Sequence, residues 1–162
     1  MELTTSDDQG AVLASSTEAM MGDRYKLDRF IAAQNSIYEQ VLVELKQGRK
    51  TSHWMWFIFP QLSGLGLSPL AQKFAIGSLA EAQTYLQHPV LGARLVECTQ
   101  LVVQVDSRSA EEIFGYPDEL KFRSCMTLFA HAAAENDLFA AALQKYFSGD
   151  QDVHTVELLS RL

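Results

Sequence analysis

Cysteine is scarce: Cys98 and Cys125 are the only two in 162 residues. They lie far apart, without the spacing of a zinc ligand set or the density of a disulfide framework. Both read as small buried apolar residues of a reduced, cytoplasmic protein. Histidine numbers four, and no His-x-x-x-His or Glu-x-x-His pattern joins any of them, so a zinc or di-iron centre is not expected. Positive charge is short as well. The 13 Lys and Arg against 20 Asp and Glu leave a formal net charge of -7. That disfavours a general nucleic-acid binder, whose affinity rests on cations neutralising phosphates. No apolar run reaches the length of a membrane span, and the polar, acidic N-terminus lacks the basic region of a signal peptide. A Gly-x-Ser-x-Gly elbow is missing too. Cofactor, metal, nucleic acid and membrane are therefore all unexpected.

What is present is an ordinary globular composition, 48% hydrophobic and 20% charged, long enough to bury a core without staples. Residues 1–24 read as a flexible polar tail: "TTSDDQG" and "SSTE" are turn-rich, and a short helical piece at Ala11–Met21 would have little to pack against. Residues 25–162 read as one all-helical domain, ordered from about Leu27. Phe30, Ile37, Val41, Leu42 and Leu45 recur at helical steps, with Glu39, Glu44 and Lys46 off that face and Gly48 as the C-cap. Ser68-Pro69 opens a helix by N-cap and first-turn proline. Ser78 with Glu81, and Ser109 with Glu112, are capping boxes, and the first of these helices must stop before His88-Pro89. Val90–Val105 forms a longer amphipathic run. Pro117 opens the next helix, Asp137 caps "LFAAALQKYF", and Val153–Leu162 closes the chain. The β-leaning run "WMWFIF" has no second run to pair with, so it reads as a buried helix capped by Thr51 or Ser52 and ended near Pro60. No fixed-period repeat is present. The expected fold is a compact all-α, multi-helix bundle.

The run from Asp28 to Gln61, "DRFIAAQNSIYEQVLVELKQGRKTSHWMWFIFPQ", resembles the family called domain of unknown function 1810. The likeness continues through "GLGLSPLAQKFAI", "EAQTYLQHPVLGARL", "KFRSCMTLF" and "YFSG". It covers nearly everything after the tail. It implies an all-helical, armadillo-like arrangement and carries no established activity over.

Several residues have chemistry to offer. His53 and Gln61 flank the aromatic stretch. An imidazole can serve as general acid or base near neutral pH, or it can simply satisfy the turn at Lys50–Ser52. Trp54, Trp56, Phe57 and Phe59 cannot all face one way, because successive helical residues diverge by about 100°. Some must meet the core and some another element, a partner or a ligand. In "SGLGLSP", Gly64 and Gly66 allow close backbone approach, and the helix opening at Pro69 offers N–H groups to an anion. The pattern falls short of a dinucleotide fingerprint or a P-loop. Lys121, Ser124 and His131 share one helical stripe, and Lys121 could act as a base, an anion hook or an ion-pair partner of Asp118, Glu119 or Glu135. The cluster Lys46, Arg49 and Lys50 reads as a solvated helix end. His88 sits in a turn and His154 beside Asp152.

Two functions stay open. One is a small-molecule site, for an anionic metabolite or an uncharacterised reaction, lined by His53, Trp56, Gln61, Gly64, Gly66, Lys121 and Ser124, with His53 and Lys121 as the catalytic candidates. The other is a helical module that binds a protein partner without catalysis.

Overall fold

The computed structural model describes residues 24–135 and 137–162. The expected helical piece at Ala11–Met21 lies outside the described residues. Ten α-helices follow one another among those described: α1 (Asp28–Asn35), α2 (Tyr38–Lys46), α3 (Met55–Ile58), α4 (Pro69–Lys73), α5 (Leu79–Gln87), α6 (Leu91–Val103), α7 (Ala110–Phe114), α8 (Asp118–Ala132), α9 (Leu138–Phe147) and α10 (Val153–Ser160). None of them is long and apolar enough to cross a membrane. The only isolated β-bridge among the described residues pairs Leu62 with Ile76 in parallel.

Helix α8 is the axis of the bundle. It buries Phe122, the run Ser124–Phe129 and Ala132, so it is covered nearly all round. Helices α3, α5, α7, α9 and α10 pack on it, while α6 gathers α2, α3, α5 and α9. Two aromatic clusters fill the space between. Phe122 stacks on Phe114 at 4.7 Å and meets Phe59 edge-on at 5.1 Å, with Trp54, Tyr146 and Phe147 around them. Phe30, Phe57, Phe74, Tyr85, Phe129 and Phe139 form the second cluster.

Most helix starts follow from their capping residues. Ser68 and Ser78 accept the N3 backbone N–H, and Ser109 with Glu112 completes a reciprocal box. Glu81 departs from its expected box: its carboxylate accepts from Gly77 N–H and Arg29, not from Ser78. Asp137 occupies the N-cap position of α9 without a side-chain cap bond. Asp152 caps α10 instead through Thr155 N–H. Gly48 and Arg49 close α2 by bonds of 3.0 Å to Leu45 O and Glu44 O, the paired Schellman arrangement.

The helix expected to run unbroken from Phe30 to Leu45 is in fact two, with a turn at Ser36–Ile37. The break serves two polar side chains. The buried Gln34 amide donates to Phe57 O at 2.7 Å and Tyr85 Oη at 3.2 Å and accepts from Arg94, while Tyr38 turns to α6 and meets Glu97. The run expected over Val90–Val105 is trimmed to Leu91–Val103.

Helices α5 and α6 approach so closely at their junction that a Cβ on Gly92 would lie 1.9 Å from the Leu86 carbonyl oxygen. Backbone cannot move aside as a side chain can. Gly92→Ala is therefore expected to cost about 2–3 kcal/mol in urea unfolding, the range of an overpacked core. A Gly92→Ala protein of unchanged stability would mean that the junction is loose.

Candidate functional site

The site begins with a buried carboxylate. Glu44, expected on the solvent face of α2, is 1% exposed. Its two oxygens accept from Thr51 N, Ser52 N, Ser52 Oγ, Gln40 Nε2 and Trp54 Nε1 at 2.6–3.0 Å. Burial by itself would raise its pKa. The donors of Ser52, Thr51 and Gln40 outweigh that and hold it down at about 2. Thr51 and Ser52 are thus spent on Glu44 and do not cap the aromatic helix. That helix has Trp54 at its N-cap position with no side-chain cap bond and shrinks to the single turn Met55–Ile58.

With Trp54 pinned to Glu44, the directions of its neighbours are set. Met55 and Ile58 enter the core, Phe59 joins the Phe122 cluster, and Phe57 meets Phe74. Trp56 belongs to neither cluster. Its partly buried indole is left as one wall of a cleft.

The opposite wall is the segment after Pro60. Ile76 N–H donates to Gln61 O at 2.9 Å and Ser63 N–H to Ile76 O at 2.7 Å, so the strand-like Gln61–Ser63 lies beside Ala75–Ile76. The chain then reverses at Gly64, whose φ of +101° disfavours any side chain. Gly66 folds down on α4, where a Cβ would come within 2.5 Å of Ala71 Cβ. Between these walls lies a cleft of about 360 Å³ lined by Trp56, Gln61, Gly64, Gly66, Gln72 and Phe74, among others. The start of α4 offers an anion little. Pro69 has no N–H, and that of Ala71 is taken by Ser68 Oγ at 3.2 Å.

Lys121 stands beside this cleft without forming part of its lining. Its ammonium lies 5.1 Å from the Trp56 ring centre and 3.3 Å from Asp118 Oδ1. The other Asp118 oxygen binds Lys50 at 2.8 Å, and Lys50 in turn sits 5.1 Å from the Trp54 ring. Lys50, read from the sequence as a solvated helix end, has a side chain only 7% exposed. Two ammonium groups therefore share one carboxylate between two tryptophans, a geometry favourable to cation–π contact. The next residue, Glu119, is buried, and its Oε2 has no hydrogen-bond partner among the described residues. Burial first, and then the Glu111 carboxylate, push that carboxyl above its ordinary range.

The remaining candidates lie elsewhere. His53 is exposed, forms no hydrogen bond with the described residues and does not line the cleft. Ser124 is buried in α8 and donates to Leu120 O at 3.1 Å, an ordinary back-bond within the helix. His131 pairs with Gln151 at 2.9 Å, and His88 Nδ1 accepts from Val90 N and Leu91 N. His154 borders a separate cleft with Glu157 and Arg161, behind Gly64. Burial raises both thiols, Cys98 to about 12, which leaves them unreactive. Among the described residues no group of His, Cys, Asp and Glu is arranged to hold a metal ion.

Comparison with known proteins agrees with this helical architecture. The model of a family described as "Protein of unknown function (DUF1810)" matches residues 24–159. The crystal structure of the conserved hypothetical protein Rv1873 from Mycobacterium tuberculosis is 58% identical in sequence, with a TM-score of 0.84. The match covers 85% of this chain and 98% of that one. No curated protein matches the chain.

Proposed function

We propose a small-molecule binding role for this chain, which belongs to the DUF1810 family of proteins of unknown function: the cleft beside Trp56 holds a small anionic metabolite. One observation carries the reading. Lys50 and Lys121 have a single carboxylate, Asp118, between them, and the more accessible Lys121 ammonium overlies Trp56, an aromatic wall of the cleft. Concave, mostly apolar clefts of this size with a few polar groups are where proteins take small ligands. The surplus positive charge selects the acidic ones. His53 and Ser124 drop out of the binding set. With no titratable side chain in the lining, the reading is one of binding, and the protein is set in the cytoplasm, where such metabolites are abundant.

A thermal-shift screen against nucleotides, sugar phosphates and carboxylates tests this. A ligand at 100 times its Kd adds about 2.7 kcal/mol, a shift of several degrees for a domain of this size. Trp56→Ala and Lys121→Ala are each expected to abolish the shift while still folding. A hit that survives both substitutions binds elsewhere and refutes the reading.

The second reading, a protein-interaction surface, draws on Leu67 in the cleft lining and Leu70 at the start of α4, which are 85% and 44% exposed. A flat screen turns the question to that surface.

A further inference from the structure

Resting on the binding role just proposed, we infer that the ligand enters ring-first: the part seated against Trp56 is an uncharged planar heterocycle of nucleobase type, and its acidic group stays outside, beside Lys121. Three features of the cleft support this. First, none of the residues lining it is charged. An anion driven to its floor would lose its water and gain no counter-ion, whereas one held at the mouth keeps both Lys121 and solvent.

Second, beside the Ser63 hydroxyl, the polar side chains that line it are two amides with unused valence, Gln61 and Gln72. Gln61 is partly buried, and its side chain has no hydrogen-bond partner among the described residues. Gln72, exposed at the rim, donates one N–H to Leu67 O at 3.0 Å, and its carbonyl oxygen has no partner among them. An amide presents a donor and an acceptor side by side. Its natural complement is an edge that also carries both, as the hydrogen-bonding edge of a nucleobase does. A carboxylate or phosphate offers acceptors only and would leave the Gln61 and Gln72 oxygens unmatched.

Third, Trp56 has no ring partner: Lys121 lies over its indole, and no aromatic side chain among the described residues packs on it. The other aromatic residues of the stretch, Trp54, Phe57 and Phe59, each pack against another ring, while Trp56 packs on none. A flat ring is the ligand shape that gains the most from an indole without a ring partner.

The experiment is calorimetric titration of the full chain with adenosine, uridine and cytidine 5′-monophosphates, the corresponding nucleosides, ribose 5-phosphate and inorganic phosphate. At least one nucleotide is expected to bind ten times or more tighter than ribose 5-phosphate. Gln61→Ala should weaken that nucleotide and its nucleoside alike, by about tenfold. Lys121→Ala should weaken the nucleotide and leave the nucleoside unchanged. Ribose 5-phosphate or phosphate binding as tightly as every nucleotide would overturn the ring-first arrangement and leave the anion-binding role standing. So would a screen hit without a ring whose binding needs Trp56 and Lys121. Silence from both the screen and these probes overturns the two together.

Discussion

Glu44→Ala is expected to lose about 4 kcal/mol of folding stability, because several neutral donors lose their one shared acceptor together. The reason is the number of groups that depend on one carboxylate. Its removal strands the fully buried Trp54 indole N–H and frees the Thr51 and Ser52 amides, which together fix the entry into the aromatic stretch. Each buried donor left unpaired costs about 1–3 kcal/mol. The same carboxylate makes stability depend on acid. Its folded pKa of about 2 lies below the ordinary value of 4.5. The resulting stabilisation is complete above about pH 4.5 and is lost as pH falls towards 2, a total of about 3 kcal/mol at 1.36 kcal/mol per pKa unit. Urea unfolding at a series of pH values checks both statements. Glu44→Gln should be weaker than the parent at pH 7 and should show a flatter acid limb. An acid limb identical to the parent's would remove Glu44 from the role given to it.

Phe122→Ala should cost a similar amount, about 4 kcal/mol, because truncating a fully buried phenylalanine removes contact on every side and leaves a cavity. Phe122 is 0% exposed and touches the rings of Phe59, Phe114, Tyr146 and Phe147. Those rings come from α7, α9 and the aromatic stretch, so its loss loosens three elements around α8. Trp56→Ala, in the same aromatic neighbourhood but outside both clusters, should cost only about 1 kcal/mol. Equal losses for the two in urea unfolding would mean that Trp56 is a core residue and not a wall of the cleft.

Much of the helical order was legible in local chemistry. Ser68, Ser78 and Ser109 mark helix starts because an N-cap hydroxyl satisfies a backbone donor within three residues, and nothing distant is needed to see it. The stop before His88-Pro89 is equally local. What could not be read depends on groups that meet only in the fold. Glu44 sits at a polar position of the α2 pattern, and its partners Thr51, Ser52 and Trp54 are assembled by the reversal at Gly48. The signal available was indirect: an acid just ahead of a helix-ending glycine, followed by a run of unpaired donors. Gln34 splits the first long helix for the same reason, since its partners are Phe57 O, Tyr85 and Arg94. Lys50 looked solvated because Asp118, which holds it, lies far along the chain. Of the candidate ligand residues, Trp56, Gln61, Gly64 and Gly66 are neighbours in sequence and share the cleft. Lys121 reaches its edge by long-range packing. His53 and Ser124 were drawn in by residue type alone, and the helix geometry sends them elsewhere.

Trp54 and Trp56 supply two indole N–H signals from a single turn, one locked on Glu44 and the other on the wall of the cleft. A two-dimensional NMR titration of those signals with the best hit of the metabolite screen, assigned through Trp56→Phe, is the most direct test of cleft binding. Saturable movement of the Trp56 signal, with that of Trp54 stationary, is the expected result. A ligand that binds and leaves Trp56 unmoved would contradict it.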